Sequence, residues 1–171
     1  LVVTTTTEQT FTTPTFPARD VNGATNGAGC MIGLYWTAAS TNAGVIAGTT
    51  VRYTSTVGAN RTATLVATAG NQIPITPVIG TIVWFNLQAG DSDVLSIQGI
   101  TLATSLATGS ISLFLCRWVI PPVPLVAVNT AGGDMSQAGA RIWTGSALFL
   151  TMLATATTAL TVSGAVLLED R

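Results

Sequence analysis

The stretch Thr49–Ala69 reads TTVRYTSTVGANRTATLVATA. Apolar and polar residues alternate through Thr49–Thr56 and again through Arg61–Ala69, and Gly58-Ala59-Asn60 lies between the two runs. A period of two turns one side of an extended chain to a core and the other to water. Gly and Asn accept the backbone angles of a tight turn, so this stretch predicts a β-hairpin.

The same pattern continues on both sides. Cys30–Ala38 (CMIGLYWTA) reads as a strand, following the Gly/Asn-rich loop Asn22–Gly29. Thr81–Leu87 (TIVWFNL) and Val94–Leu102 (VLSIQGITL) flank the turn-forming run Gln88–Asp93 and predict a second hairpin. In Gly109–Ile120, Ile111, Leu113 and Leu115 alternate with Ser110, Ser112, Phe114, Cys116 and Trp118, until Pro121-Pro122-Val123-Pro124 ends the run. Gln72–Ile79 carries Pro74 and Pro77, which limits it to an edge strand or an irregular crossing. After a polar loop, Asn129–Gly139, two final strands are expected at Arg141–Leu153 and Thr157–Leu168. No window combines a 3.6-residue period with helix caps. The expected fold is therefore all-β: a single antiparallel β-sandwich of eight to ten strands over residues 21–171.

Residues 1–20 (LVVTTTTEQTFTTPTFPARD) read differently. Thr favours extended backbone, Pro14 and Pro17 block regular structure, and Phe11 and Phe16 supply isolated apolar anchors. The segment reads as an extended N-terminal arm that crosses onto a neighbouring subunit, or as a frayed terminus. Phe11, Pro14, Phe16 and Pro17 are the candidate subunit-interface residues on the first reading. The chain opens on Leu1 rather than Met, which leaves room for a preceding segment. Residues 1–20 lack the charged and apolar regions of a secretion signal.

Composition narrows the function classes. Of 171 residues, 48% are hydrophobic and 8% charged, with a net charge of −1 and no lysine. Soluble domains usually carry about 25% charged residues. So little charge gives little defence against association, whereas a neutral surface of Thr, Ser, Ala, Asn and Gly suits contact with other subunits. No run of Lys and Arg forms a phosphate-binding surface, so strong nucleic-acid binding is not expected from these residues. The apolar runs are too short for a membrane-spanning helix.

Reactive chemistry is sparse. With no histidine and no lysine, the common general bases and the triads built on histidine are missing. The seven carboxylates, Glu8, Asp20, Asp91, Asp93, Asp134, Glu169 and Asp170, lie in the arm, in turns or at the C-terminal end. No enzyme activity and no cofactor are expected. Asp91 and Asp93 are calcium candidates by type, although solvated turn residues fit the spacing as well. Cys30 and Cys116 sit in apolar surroundings, as buried free thiols or as one disulfide. Asn60-Arg61-Thr62 matches a glycosylation acceptor, and Gly27-Ala28-Gly29 lacks the third glycine of a dinucleotide fingerprint. Trp36, Trp84, Trp118 and Trp143 are candidates for a core, a subunit interface or a sugar-binding platform.

A Thr/Pro-rich arm, a long series of strands, and the closing alternation Leu160-Thr-Val-Ser-Gly-Ala-Val-Leu-Leu168 together resemble the jelly-roll coat proteins of small icosahedral viruses. The hairpin Val51–Leu65 and the strand Ile111–Val119 fit the same plan. The chain also resembles the trimeric β-sandwich proteins that decorate phage heads. The resemblance implies a virion structural protein, shell or decoration, whose partners are copies of itself and other capsid subunits. It departs from the RNA-virus coats in having no basic arm. A secreted or surface carbohydrate-binding sandwich is the alternative expectation.

Overall fold

The computed structural model describes residues 1–40, 46–68, 73–118 and 142–147. Its strands are β1 (Gln9–Thr10), β2 (Met31–Ala38), β3 (Thr50–Thr54), β4 (Arg61–Leu65), β5 (Ile82–Asn86), β6 (Ser96–Thr101) and β7 (Ser110–Cys116), and there is no helix among the described residues. All seven join one curled antiparallel sheet in the order β1-β6-β3-β4-β5-β2-β7.

The alternation expected from the sequence is what faces the core. Ile32, Leu34 and Trp36 of β2 point inward with Val51 and Tyr53 of β3, Ala63 and Leu65 of β4, and Val83 and Phe85 of β5. Cross-strand register keeps them on one side: Leu34 lies opposite both Val83 and Leu113, and Val51 opposite both Ala63 and Ile100. Curling lets the sheet enclose its own core. Register shifts at Arg52/Tyr53 in the β3–β6 pair and at Trp36/Ala38 in the β2–β7 pair add local twist. The shift in β6 also turns Ile97 and Ile100, three residues apart, to the same core.

The hairpin at 49–69 is present as β3–β4, with Val51 opposite Ala63 and Tyr53 opposite Arg61. The second expected hairpin is not. β5 pairs with β4 and β2, whereas β6 pairs with β3 and β1, so Thr81–Leu87 and Val94–Leu102 are separated by the whole β3–β4 hairpin. The connection between Asn86 and Ser96 is long enough to pass across the end of that hairpin, so it is not confined to a tight turn. The order β6-β3-β4-β5 is thereby a Greek key.

Other expectations are adjusted in the same way. A sandwich of eight to ten strands was expected; the described residues supply seven strands in one curled antiparallel sheet. Residues 73–79 are an irregular crossing. Within Arg141–Leu153, residues 142–147 carry a turn at Thr144-Gly145 rather than a strand. The remainder of that segment, the Pro121–Pro124 stop, the Asn129–Gly139 loop and the Thr157–Leu168 strand lie outside the described residues.

Candidate functional site

Asp91 and Asp93 sit in the connection that crosses the β3–β4 hairpin, and each is turned to its own partner. Arg61 Nε and Nη2 donate to Asp91 Oδ2 and Oδ1, both at 2.9 Å. The Tyr53 hydroxyl donates to Asp91 Oδ2 and accepts the Gln88 N–H at 3.0 Å. Asp93 accepts from the Thr56 hydroxyl and, at 2.9 Å, from the Thr56 N–H. The Leu95 N–H adds a bond to Thr54 O at 2.8 Å. The Arg61 guanidinium holds the Asp91 carboxyl below the usual carboxylate range, against burial and with help from Tyr53. Burial, and then the Asp91 contact, push the Tyr53 phenol up to about 12. Among the described residues no group of three or more His, Cys, Asp or Glu side chains could hold a metal ion. The two aspartates pin the crossing loop in place.

Asp20 plays a similar part at the same end of the sheet. Its carboxylate accepts the N–H groups of Asn22 (2.8 Å), Ala24 (2.7 Å) and Ala28 (3.2 Å) and folds the Gly/Asn-rich loop around itself. Burial raises its pKa, but the backbone donors outweigh burial and hold it below the usual value. The Trp143 indole N–H donates to Asp20 O at 2.7 Å, which clamps the 142–147 turn over Gly23.

The described residues hold eight charged side chains: Glu8, Arg19, Asp20, Arg52, Arg61, Asp91, Asp93 and Arg117. At least six of them are engaged within the chain. Asp20, Arg61, Asp91 and Asp93 act as above, and Glu8 pairs with Arg52 at 2.7 Å. That last pair lies over Gly99, where a Cβ would stand 2.6 Å from the Glu8 carboxylate. The charge is also unevenly placed. Asp20, Asp91, Asp93 and Arg117 lie in connections, and Arg61 opens β4, at the end where β3 and β5 finish and β2 and β6 begin. At the opposite end, the connections 39–49, 66–81 and 102–109 contain no charged residue.

Residues 1–20 lie along their own sheet. β1 pairs with β6, the Phe11 N–H donates to Gln98 O at 3.0 Å, and Thr13 exchanges hydrogen bonds with the Ile97 backbone. Phe11 and Phe16 pack against the core of their own chain, and Val3 is buried in it. Pro14 and Pro17 remain exposed. Leu1, Phe11 and Pro14, together with Ile111, Ser112 and Leu113 of β7, line an open groove of about 290 Å³.

The four tryptophans divide by position. Trp36 is fully buried, and its Nε1 has no hydrogen-bond partner. Trp84 and Phe114 flank Gly33 on the outer face of the sheet, where a Cβ on Gly33 would stand 2.3 Å from the Phe114 ring. Trp84 meets Phe114 edge-on at 5.6 Å and Trp118 at 5.3 Å with a 56° tilt. Trp118 is 43% exposed. Cys30 and Cys116 are free, half-buried thiols. Burial and the nearby Asp20 charge push Cys30 up to about 11, and burial together with Cys30 pushes Cys116 up to about 12.

Sequence reasoning missed the Tyr53–Arg61–Asp91 group, because its members come together only once the 87–95 connection crosses the hairpin. It also missed the uneven placement of charge, although the long uncharged runs 62–90 and 94–116 were visible. Among the described residues no helix is long and apolar enough to cross a membrane. Comparison with family models, curated proteins and solved structures returns no match.

Proposed function

We propose that this chain is a structural subunit of a virus particle, a shell or head-decoration protein that assembles with copies of itself and with other capsid subunits. The observation that carries the reading is the fate of its charge. Most of the few charged side chains described are engaged within the chain, which leaves a surface rich in Thr, Ala, Ser, Asn and exposed aliphatics with little charge to desolvate when it meets another subunit.

The strand pairing is compatible with a jelly roll. β4·β5, β3·β6 and β2·β7 are nested antiparallel pairs, as in a single ribbon folded back on itself and then wound up. The ordered N-terminal segment supplies further neutral surface beside β7.

Size-exclusion chromatography with light scattering, followed by negative-stain microscopy of the same fractions, tests the reading. The expected result is a concentration-dependent oligomer or closed particles of regular size. A sample that stays monomeric at high concentration and shows no particles refutes it.

A further inference from the structure

We infer that the end of the sheet whose described connections carry no charged side chain, centred on the 73–81 loop, is the surface through which neighbouring copies of this chain contact one another. This rests on the self-assembling reading above and assigns it a place on the fold.

Three described segments meet at that end. The Ser40 N–H donates to Pro77 O at 3.0 Å, and the Ser40 hydroxyl donates to Leu106 O at 3.2 Å. The Leu106 N–H in turn donates to Val3 O at 2.8 Å. These bonds tie the N-terminal residues, the 102–109 connection and the 73–81 loop into one rim. The loop itself is held from below: the Gly80 N–H donates to Trp36 O at 2.9 Å, and the Thr81 N–H donates to Val78 O at 3.1 Å. Pro74 and Pro77 fix two of its φ angles.

On this braced rim the large aliphatics point away from the subunit. Ile75 is 60% exposed, Val78 63% and Ile79 65%, with Val2 at 57% on the neighbouring N-terminal segment. Three large β-branched side chains within five residues of a loop cost solvation free energy unless something covers them. A loop already held rigid loses little conformational entropy when it is covered.

The chemistry of the rim selects the occupant. A nucleic acid needs Lys and Arg to meet phosphates, and none is present in these connections. An anionic lipid surface calls for basic residues, and neutral interfaces are usually anchored by Trp or Tyr. The 73–81 loop has neither. A charged protein partner would have its charges desolvated without a counter-charge. A second copy presents the same aliphatic rim, so the 73–81 loops of the two copies bury apolar area with no charge of their own to desolvate and no like-charge repulsion between them. The other end of the sheet, which holds Asp20, Arg61, Asp91, Asp93 and Arg117, lacks this property.

The test compares four proteins by sedimentation velocity over a range of concentrations: the unaltered chain, Val78→Asp, Ile75→Asp, and Val57→Asp. Val57 is 62% exposed in the β3–β4 turn at the charged end and serves as the control. Placing like charges face to face across a symmetric contact costs several kcal/mol, so Val78→Asp and Ile75→Asp should each weaken association by about tenfold or more. Val57→Asp should associate as the unaltered chain does. If Val78→Asp and Ile75→Asp assemble normally, or if Val57→Asp disrupts assembly equally, the contact is not at this end, and the self-assembling reading stands without it. If the unaltered chain is monomeric throughout, that reading fails and this inference falls with it. A loss of fold in both rim variants, seen by circular dichroism, also overturns the inference, because side chains this exposed should not be needed within the subunit.

Discussion

Removing one oxygen tests how the crossing connection is held. Tyr53 is fully buried, and its hydroxyl is the point where the β3–β4 hairpin, the Gln88 backbone and the Asp91 carboxylate meet. Tyr53→Phe keeps the ring and its packing but deletes two hydrogen bonds. A bond to a carboxylate contributes about 1.5–3 kcal/mol and a neutral one about 0.5–1.5 kcal/mol. Asp91 keeps its bidentate Arg61 contact, and Gln88 is exposed enough for water to take its N–H. The loss should therefore fall toward the lower part of the sum, about 2–3 kcal/mol. With a urea slope of about 2 kcal/mol/M, the unfolding midpoint should drop by roughly 1–1.5 M at unchanged slope. The measurement belongs at one fixed, low protein concentration, so that association adds no stability of its own. Amide exchange supplies a second readout: the Leu95 N–H, bonded to Thr54 O, should lose protection before the strands do. A midpoint shift equivalent to less than about 0.5 kcal/mol, with Leu95 still protected, would mean the hydroxyl does not hold the connection.

Three further outcomes are expected. Gly33→Ala places a methyl against the Phe114 ring and should cost about 1–3 kcal/mol in chemical denaturation; Phe114→Leu in the same chain should recover part of that loss. Trp36→Phe removes a buried N–H that has no partner, which offsets much of the lost packing, so its cost should stay within about 1 kcal/mol, well below an ordinary large-to-small core change. Tyr53, Cys30 and Cys116 all have folded pKa values above their ordinary ones, at about 12, 11 and 12, so each favours the folded state while protonated. Their contribution is complete below pH 9 and is lost as pH rises from there toward 12, and thermal melts across that range should show a steady fall that Tyr53→Phe makes shallower above pH 10.

How much of this was legible beforehand depended on the range of the interaction. The strand-like runs Cys30–Ala38, Thr49–Thr56, Arg61–Ala69 and Gly109–Ile120 were enough to place strands β2, β3, β4 and β7, because burying one side of an extended chain is a local demand that each segment meets in the same way. The Gly/Asn turn was enough for the β3–β4 hairpin. The absence of histidine and lysine, and the scarcity of charge, were likewise present in the composition.

Which strand lies beside which was not. The run Gln88–Asp93 looks like a hairpin turn, yet Asp91 and Asp93 serve Arg61, Tyr53 and Thr56, some thirty or more residues earlier, and draw the chain across the β3–β4 hairpin instead. The register shift in β6, which lets Ile97 and Ile100 share a core, breaks the strict alternation and arises from pairing with β3 rather than from local preference. The gathering of most of the described charged side chains at one end of the sheet is also a product of topology. Uncharged runs are visible in the sequence, but only the antiparallel order brings the connections 39–49, 66–81 and 102–109 to the same end and leaves Ile75, Val78 and Ile79 together on the surface. A strand is specified by its own residues, whereas a neighbour, and the surface that neighbours build, is specified by contacts between residues far apart in the chain.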